Sequence, residues 1–409
     1  MKRINLEIKA LSALAIGRQK PGGSVSEAES YIPGSVIRGA IAAVILKRAN
    51  TSISDGDDFH ELFLGENPAI FQNAYPGNLE IEGHTIIQQD VRVLPATVLS
   101  SKTKSGFKPE KNGVFDTLID RLCAEGYKWF YDPNCPTDGD RADNFSGFYS
   151  EFNDEYYNHL ATTRLLTRVG INRRRATSEE RVLYSLEVLN ESQDNKEKPI
   201  IYVGAILVSE DLAESLQAFI DNHQEDLRLG GATSRGLGRV KIKAKLPVEI
   251  KPRVTNPIKQ FNEKLHQRWN EWKNIFGNPI EYLPNNRTYF TLDLQADAIL
   301  TQNWRRTTVI SPEMLQELTG VTDSSLELHA AYTSYDYLSG WNSGWGLMKD
   351  VELITNKGSV YLFSTTEENL WIKALENLEV KGVGDRTSEG FGHVRVCDEF
   401  HLIMREEAV

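Results

Sequence analysis

The sequence contains one glycine-rich motif twice. Residues 230–240 read Gly-Gly-Ala-Thr-Ser-Arg-Gly-Leu-Gly-Arg-Val, and residues 384–394 read Gly-Asp-Arg-Thr-Ser-Glu-Gly-Phe-Gly-His-Val, so six of the eleven positions are identical. In each copy an amphipathic helical stretch precedes the motif and a β-rich run follows it. This pattern predicts a repeated structural unit. Three shared glycines allow positive φ and a close approach to a ligand, with amide N–H groups that can face a phosphate.

Length and composition limit the class of protein. With 409 residues, 40% of them hydrophobic, the chain can form two or three domains with cores of their own. It has no apolar run of membrane-spanning length and begins directly with an alternating strand pattern, so we expect a cytoplasmic protein without a membrane partner. The three cysteines lack Cys-x-x-Cys spacing, and neither a metal nor a cofactor is predicted. A site formed by Cys123, Cys135 and His159 is the one metal alternative.

Basic residues are clustered although the net charge is −11. Residues 228–245 contain six basic side chains and no acidic one, and residues 164–181 contain six arginines, three of them consecutive (Arg173, Arg174 and Arg175). A single charged run is typical of a solvated face. Two such runs, one of them on a glycine loop, favour contact with a phosphate backbone.

Hydrophobic periodicity predicts the main elements. A strand is expected over residues 3–9, and Ser35 is placed to cap a helix from Val36 to about Arg48. A strand over 199–208 and a helix over 209–225 precede the first glycine loop. After a proline-marked linker, a helix from Pro257 ends at Gly277 and carries Trp269 and Trp272, which we assign to the core. Strands from about Arg287 and a helix over 366–378 precede the second loop.

This order predicts an α+β fold made of tandem ferredoxin-like (RRM-like) βαββαβ domains with glycine-rich loops. In such a fold the sheet carries helices on one face and leaves the other face for a ligand. We place the first domain at 1–247, with an insertion at about 101–160 and a basic hairpin at about 163–189. The second domain is placed at 248–409.

Several segments resemble the RAMP superfamily of CRISPR effector proteins. They are Tyr31-Ile32-Pro33-Gly34-Ser35-Val36-Ile37-Arg38-Gly39, the run from Thr163-Arg164 to Arg173 followed by Leu183-Tyr184, and the two glycine loops. The first half is similar to the backbone subunits that coat guide RNA, and residues 163–189 resemble their thumb hairpin. The second half, with Ser339-Gly340-Trp341 and residues 358–363, resembles the subunit that caps the 5′ handle of the guide in type III complexes. The combination resembles the RAMP family of type III-D systems and covers most of the chain outside 101–160.

The resemblance implies an antiviral ribonucleoprotein subunit that binds CRISPR guide RNA (crRNA) and meets target RNA only indirectly. The implied protein partners are RAMP backbone subunits and the large polymerase-like subunit. The candidate RNA-binding residues are Ser35, Arg38, Arg164, Arg168, Arg173, Arg174, Arg175, Gly230, Gly231, Ser234, Arg235, Gly236, Gly238, Arg239, Trp341, Trp345, Arg386 and His393.

Each group of candidates has its own chemistry. Ser35 and Arg38 sit at a helix N-terminus, which favours a phosphate, and Arg235 and Arg239 add charge-assisted contacts on the first loop. The second loop is less basic, because Asp385 and Glu389 replace a glycine and an arginine, so it is either structural or faces protein rather than RNA. The tryptophans at 341 and 345 could stack an unpaired base, with core packing as the alternative.

The sequence favours a non-catalytic subunit. Guide-processing ribonucleases of this superfamily use a histidine near the N-terminus as general base, whereas the first histidine here is His60. His393 is assigned to phosphate contact or packing. Subunits that cut target RNA use an aspartate in the loop before the Tyr-Ile-Pro-Gly-Ser turn, where this chain has Glu27 and Glu29. A RAMP endoribonuclease and a purely structural assembly subunit remain as alternatives.

Overall fold

The computed structural model describes residues 1–18, 27–48, 54, 56–81, 84–172, 177–192, 199–342 and 347–409. This part of the chain contains seven α-helices and many short antiparallel strands arranged in several sheets. The prediction of an α+β fold is confirmed. Within the described residues, no helix is both long and apolar enough to cross a membrane.

The elements follow one another along three parts of the chain. The first part forms β1 (Lys2–Ala10), β2 (Gly17–Arg18), β3 (Glu27–Ala28), α1 (Gly34–Arg48), α2 (Asp58–Phe63), β4 (Ile70–Phe71), β5 (Tyr75–Pro76), β6 (Asn78–Ile81), β7 (His84–Ile87), β8 (Arg92–Val93) and β9 (Val98–Ser101). The middle part forms β10 (Val114–Asp116), α3 (Leu118–Gly126), β11 (Ala142–Asn144), β12 (Phe148–Phe152), β13 (Glu155–His159), β14 (Thr163–Asn172), β15 (Thr177–Leu189), β16 (Ile201–Val208), α4 (Glu210–Asn222), β17 (Val240–Ala244) and β18 (Val248–Glu249). The last part forms α5 (Thr255–Phe276), β19 (Thr288–Leu294), β20 (Leu300–Gln302), β21 (Arg305–Thr307), α6 (Pro312–Thr319), β22 (Glu327–Tyr332), β23 (Tyr335–Leu338), β24 (Trp341–Asn342), β25 (Leu347–Met348), β26 (Glu352–Thr355), β27 (Val360–Thr365), α7 (Glu368–Lys381) and β28 (Val394–Val396).

The two halves contain antiparallel sheets with matching strand order. The first sheet runs β17-β1-β16-β4, and the second runs β28-β19-β27-β22. In each sheet the strand that follows the glycine loop pairs with the first strand of its half. The sequence repeat is therefore accompanied by a repeat of topology.

Alternation along β1 builds the core of the first half. Ile4, Leu6 and Ile8 are fully buried and pack with α1 and α4, where Ile37 and Ile41 form the centre of the apolar stripe on α1. Successive strand residues point to opposite faces, so Arg3 and its alternating neighbours lie on the other side of the sheet. Each fully buried isoleucine stabilises the fold by about 1.5–3 kcal/mol.

Helix α5 shares one hydrophobic core with the second sheet and α7. The Asn262 side chain bridges to β19 by donating to the Tyr289 carbonyl (2.7 Å) and accepting from the Tyr289 amide (2.8 Å). Trp272 is buried, which confirms its assignment to the core, and Gly277 ends the helix at φ 83°.

Residues 101–160 pack against the second half of the chain. Helix α3 shares the core of α5, and the buried Asp120 carboxylate accepts hydrogen bonds from Arg268 Nε (2.6 Å) and Trp272 Nε1 (2.9 Å). Tyr149 donates to Asp398 at 2.5 Å. This segment, interpreted from sequence as an insertion into the first half, is held by contacts with the other half.

Candidate nucleic-acid interface

The first glycine loop wraps around its own backbone. A 3-10 turn over Thr233–Arg235 is followed by Gly236 at φ 87°. The Gly231 amide donates to the Ala15 carbonyl, and a Cβ at Gly230 would stand 2.5 Å from that same oxygen. A Cβ at Gly238 would stand 2.6 Å from the Leu229 carbonyl oxygen. These close approaches are to the chain itself, so Gly230 and Gly238 are required for the shape of the loop.

The second loop repeats this conformation. A 3-10 turn over Thr387–Glu389 is followed by Gly390 at φ 95°, and the residue before the turn is left-handed in both copies. The Asp385 amide donates to the Ile299 carbonyl at 2.9 Å, as Gly231 does in the first loop, and the Gly392 amide donates to the Asp297 carbonyl. The predicted repeated structural unit is confirmed.

The surroundings of the two loops differ. Ser234, Arg235 and Gly236 are exposed, and a Cβ at Gly236 would meet nothing within 4 Å among the described residues. A Cβ at Gly390 would stand 2.7 Å from Asn73 Oδ1, because the second loop packs against the first half of the chain. Only the first loop presents its turn to solvent.

A long hairpin, β14 paired with β15, lies beside the first loop. Arg168 on β14 donates to the Arg235 carbonyl at 3.3 Å. Arg235 in turn donates to the Tyr184 hydroxyl on β15, and its guanidinium lies 5.5 Å from the centre of the Tyr184 ring. The hairpin and the first glycine loop therefore form one surface. We call it the loop–hairpin surface and define it by Arg168, Tyr184, Ser234, Arg235 and Arg239.

Two other basic candidates are Arg239, which belongs to this surface, and Arg164, which lies at the base of the hairpin. Arg239 has an exposed side chain, while its backbone is fixed by Ser12 Oγ, which accepts from the Arg239 amide at 2.9 Å. Arg164 at the base of the hairpin is ion-paired with Glu191 at 2.8 Å and donates to Asn190. The candidates Arg173, Arg174 and Arg175 lie outside the described residues.

The start of α1 faces the second glycine loop. The Gly34 amide donates to Asn73 Oδ1 at 2.8 Å, and a Cβ at Gly34 would stand 2.9 Å from the Glu389 carbonyl oxygen. Ser35 is half-buried here, and Arg38 donates to the Phe63 carbonyl at 2.7 Å and stacks on the Phe63 ring. The N-terminus that was predicted to meet a phosphate is thus close to protein.

The candidates of the second half are dispersed. Arg386 is paired with Glu389 at 2.6 Å and lies over the Phe391 ring. Burial raises the pKa of Glu389, but Arg386 and Arg38 outweigh it and hold that pKa below its ordinary value. The Trp341 backbone pairs with Met348 in a short hairpin, and residue 345 lies outside the described part of the chain.

His393 lines a cavity between the halves. Burial lowers the pKa of its imidazole to about 3, and the positive charges of Arg3 and Arg395 act in the same direction. The ring is therefore neutral at physiological pH and offers no positive charge to a phosphate.

A comparison with protein families shows the family to which the chain belongs. The model of the RAMP superfamily matches residues 7–241, more than half of the sequence. The chain belongs to the RAMP superfamily. None of the curated proteins searched matches it.

Solved structures similar to this RAMP protein include three cryo-EM structures of type III-B Cmr-beta. The structure bound to cognate target RNA and AMPPnP has 14% identity and a TM-score of 0.40, covering 90% of this chain and 88% of that chain. The structure bound to cognate target RNA has 11% identity and a TM-score of 0.37, covering 88% and 86%. The apo state has 15% identity and a TM-score of 0.30, covering 59% and 96%.

The residues named for the catalytic and metal alternatives of this RAMP protein lie in different surroundings. Glu29 is buried, and its amide donates to the Ile16 carbonyl. Cys123 belongs to the core shared by α3 and α5, whereas His159 is bonded to Ser150 at 2.8 Å and burial lowers its pKa to about 4. Among the described residues, no three or more His, Cys, Asp or Glu side chains are grouped to hold a metal. Cys135, the third residue of the metal alternative, is buried beside the Asn112 carbonyl.

Sequence reasoning missed Tyr184 as a site residue of this RAMP protein. The residue was visible as part of the Leu183-Tyr184 motif, but nothing in the sequence placed its ring against Arg235. It also missed a buried ion cluster in which His401 lies 2.8 Å from Asp293 and 3.1 Å from Asp116. Those three residues are far apart in sequence, so no local pattern could have joined them.

Proposed function

We propose that this RAMP protein is a guide-RNA-binding, non-catalytic subunit of a type III CRISPR interference complex, and specifically of type III-D. The observation that carries the proposal is the loop–hairpin surface, which contains three arginines and is exposed at Ser234, Arg235 and Arg239 in a protein with a net charge of −11. Membership of the superfamily supports the same role. The subtype rests on the sequence resemblance of the two halves.

The surface has the chemistry of a phosphate-backbone site. Neither Arg168 nor Arg235 has a carboxylate partner among the described residues, so both guanidinium groups can bind phosphate oxygens. Gly236 leaves open space where a strand can approach the turn. Tyr184 supplies an aromatic ring beside these cations, on which a base can stack. Contacts of this kind position a strand without reading its sequence.

We also propose that both halves are versions of the ferredoxin-like fold and divide the work between them. The matching strand orders support the first part of this proposal. In chain order the β14–β15 hairpin lies between β4 and β16, and the β23–β26 hairpin lies between β22 and β27, at the equivalent place in the second sheet. This equivalence supports a thumb-like role for the second hairpin. The second half would cap the 5′ handle, with the tryptophans at 341 and 345 as stacking candidates. Backbone and large polymerase-like subunits would be the protein partners.

The non-catalytic part of the proposal is supported by His393 and Glu29, two of the three residues named for catalysis; the third, Glu27, is exposed. His393 is neutral and lies in the cavity between the halves, while Glu29 is buried. Labelled repeat RNA and target RNA should stay intact with the purified protein, with and without magnesium. Specific cleavage that disappears in His393→Ala or Glu29→Ala would support the endoribonuclease alternative instead.

Purification tests the binding role against a purely structural one. A guide-binding subunit should retain RNA through a low-salt preparation and show a 260 to 280 nm absorbance ratio well above that of protein alone. An Arg235→Glu variant should lose this RNA, while Arg141→Gln, which changes an exposed arginine outside the loop–hairpin surface, should keep it. A wild-type protein free of RNA that still assembles with the other subunits would favour the structural role.

Discrimination of the handle can be tested separately. Replacing the tryptophans at 341 and 345 with alanine should reduce preference for the correct handle over a scrambled one, by about 1–3 kcal/mol for each stacked base. The salt dependence of binding should hardly change, because stacking releases no counterions. Equal loss of affinity for both RNAs, together with a lower melting temperature, would place these tryptophans in the core.

A further inference from the structure

A cavity of about 700 Å³ lies between the two halves of the chain. One wall is the face of the first sheet opposite α1 and α4, where Arg3 on β1 is paired with Leu207 on β16. The other wall is formed by the end of α7, which carries Lys381, by His393 and by the start of β28. Ligand sites in proteins commonly have volumes of about 300–1,000 Å³, so the space is sufficient for a small organic molecule.

The charge of the cavity is positive. Five cationic side chains line it against three carboxylates, in a protein that is acidic as a whole. Arg253 is neutralised by Glu379 at 3.0 Å, and Arg395 by Glu399 at 3.0 Å. Lys251 and Lys381 have no carboxylate within ion-pair distance in the part of the chain that the structure describes.

Arg3 is the most unusual of these cations. Its Nε donates to Asn5 Oδ1 at 2.9 Å, and among the described residues no carboxylate lies within ion-pair distance of its two amino groups. Burial lowers the pKa of Arg3, and Arg395 nearby acts in the same direction, while Asp90 opposes both. The group stays charged, because an arginine pKa remains far above neutrality. A half-buried guanidinium with free donors is suited to an anion.

A second, independent group in the cavity also lacks an acceptor. Gln295 is only 4% exposed, and its Oε1 accepts the Val93 amide at 2.8 Å. Its Nε2 is buried and has no hydrogen-bond partner in the described structure. Leaving a buried donor unsatisfied costs about 1–3 kcal/mol, and an acceptor on a ligand would remove that cost.

We propose that the cavity binds the phosphate group of a nucleotide, with Arg3 and Gln295 as donors and Lys381 as a further cation. Ile250 and Pro252 share the lining and give a base or sugar an apolar surface to contact. The site is separate from the loop–hairpin surface and does not depend on it. The nucleotide is either a free mononucleotide or the phosphorylated 5′ end of an RNA, since both present the same group.

Isothermal titration calorimetry on the full chain tests the proposal, with AMP, a 5′-phosphorylated tetranucleotide RNA and its 5′-hydroxyl form as probes. Arg3→Gln removes the charge while keeping donors, and Lys381→Gln changes only an exposed side chain at the end of α7. Each should weaken AMP binding at least about tenfold if a charge-assisted phosphate contact is lost. Lys373→Gln, an exposed change on the same helix outside the cavity, should leave affinity within about twofold.

The outcomes separate the two sources. Binding of AMP that weakens in Arg3→Gln and Lys381→Gln supports a free nucleotide. Tighter binding of the 5′-phosphorylated RNA than of the 5′-hydroxyl form, with the difference lost in both variants and no binding of AMP, supports an RNA end. Absence of any phosphate-dependent binding at millimolar probe, or wild-type affinity in both variants, overturns the proposal.

Discussion

The two glycine loops allow a matched test of the claim that one is exposed and the other is packed against protein. Gly236→Ala and Gly390→Ala place the same methyl group at equivalent positions, at φ 87° and φ 95°. A left-handed backbone costs an alanine about 1–2 kcal/mol at either site. The two changes should differ only in what the methyl group meets.

The structure gives the size of that difference. At Gly236 the added Cβ meets no atom of the described residues within 4 Å, so the conformational cost is the whole effect there. At Gly390 it would stand 2.7 Å from Asn73 Oδ1 and 2.8 Å from the Phe71 carbonyl oxygen, and overpacking of this kind adds about 1–3 kcal/mol. We therefore expect about 1–2 kcal/mol for Gly236→Ala and about 2–5 kcal/mol for Gly390→Ala.

Urea unfolding followed by tryptophan fluorescence gives the unfolding free energy of both variants. The first unfolding transition is compared, because the two halves of the chain need not unfold in one step. RNA affinity should respond in the opposite order. Gly236→Ala should weaken guide binding, because its methyl group enters the space proposed for the strand, whereas folded Gly390→Ala should bind nearly as the wild type does. Equal destabilisation by the two changes would refute the packing of the second loop on the first half.

Two further predictions concern buried charges. Asp120→Ala should cost about 1–3 kcal/mol in urea unfolding, because it removes the buried acceptor of Trp272 Nε1 and the closest carboxylate of Arg268, which keeps Glu271 and Glu406 at 3.0 Å. The exposed Asp211→Ala should cost at most about 0.5 kcal/mol, and similar costs for the two changes would show that α3 is not held through Asp120. Burial acts to lower the pKa of His401, but its two aspartate partners outweigh burial and hold that pKa well above the ordinary value. The stability that the charged imidazole adds to the folded protein is therefore complete below the unfolded pKa of about 6.5. It is lost as the pH rises through the folded pKa. The difference in unfolding free energy between wild type and His401→Gln should therefore shrink as pH is raised above about 6.5, and a difference that grows would contradict the assignment.

The local elements were predictable from sequence because their causes are local. The stripe on α1 was visible at helical spacing, and Ile37 and Ile41 are fully buried as expected. Trp272 was correctly assigned to the core. Helix α5 starts at Thr255, two residues before the proline that was expected to open it. The conformation of the loops followed from their glycines, since positive φ and close backbone contact are properties of the motif itself.

Contacts between the halves were not predictable, because they join residues distant in sequence. The exposed first loop and the packed second loop share six of eleven residues, and only the differences at Asp385 and Glu389 indicated separate surroundings. The packing of α3 on α5 depends on Asp120, which reads as an ordinary helical aspartate in the sequence. Of the candidate site residues, Arg168 and Arg235 are brought together, whereas Arg38 lies by the packed second loop.

The salt dependence of RNA affinity tests the central claim most directly. Fluorescence anisotropy with a guide RNA between 50 and 300 mM salt gives the slope of log affinity against log salt for the full chain. Each phosphate contact to a single strand contributes about 0.7 to that slope, so the double variant Arg168→Gln/Arg235→Gln should lower its magnitude by about 1.4, while Arg141→Gln should leave it unchanged. A double variant with the wild-type slope would contradict the account, because the guide would then be bound elsewhere on the protein.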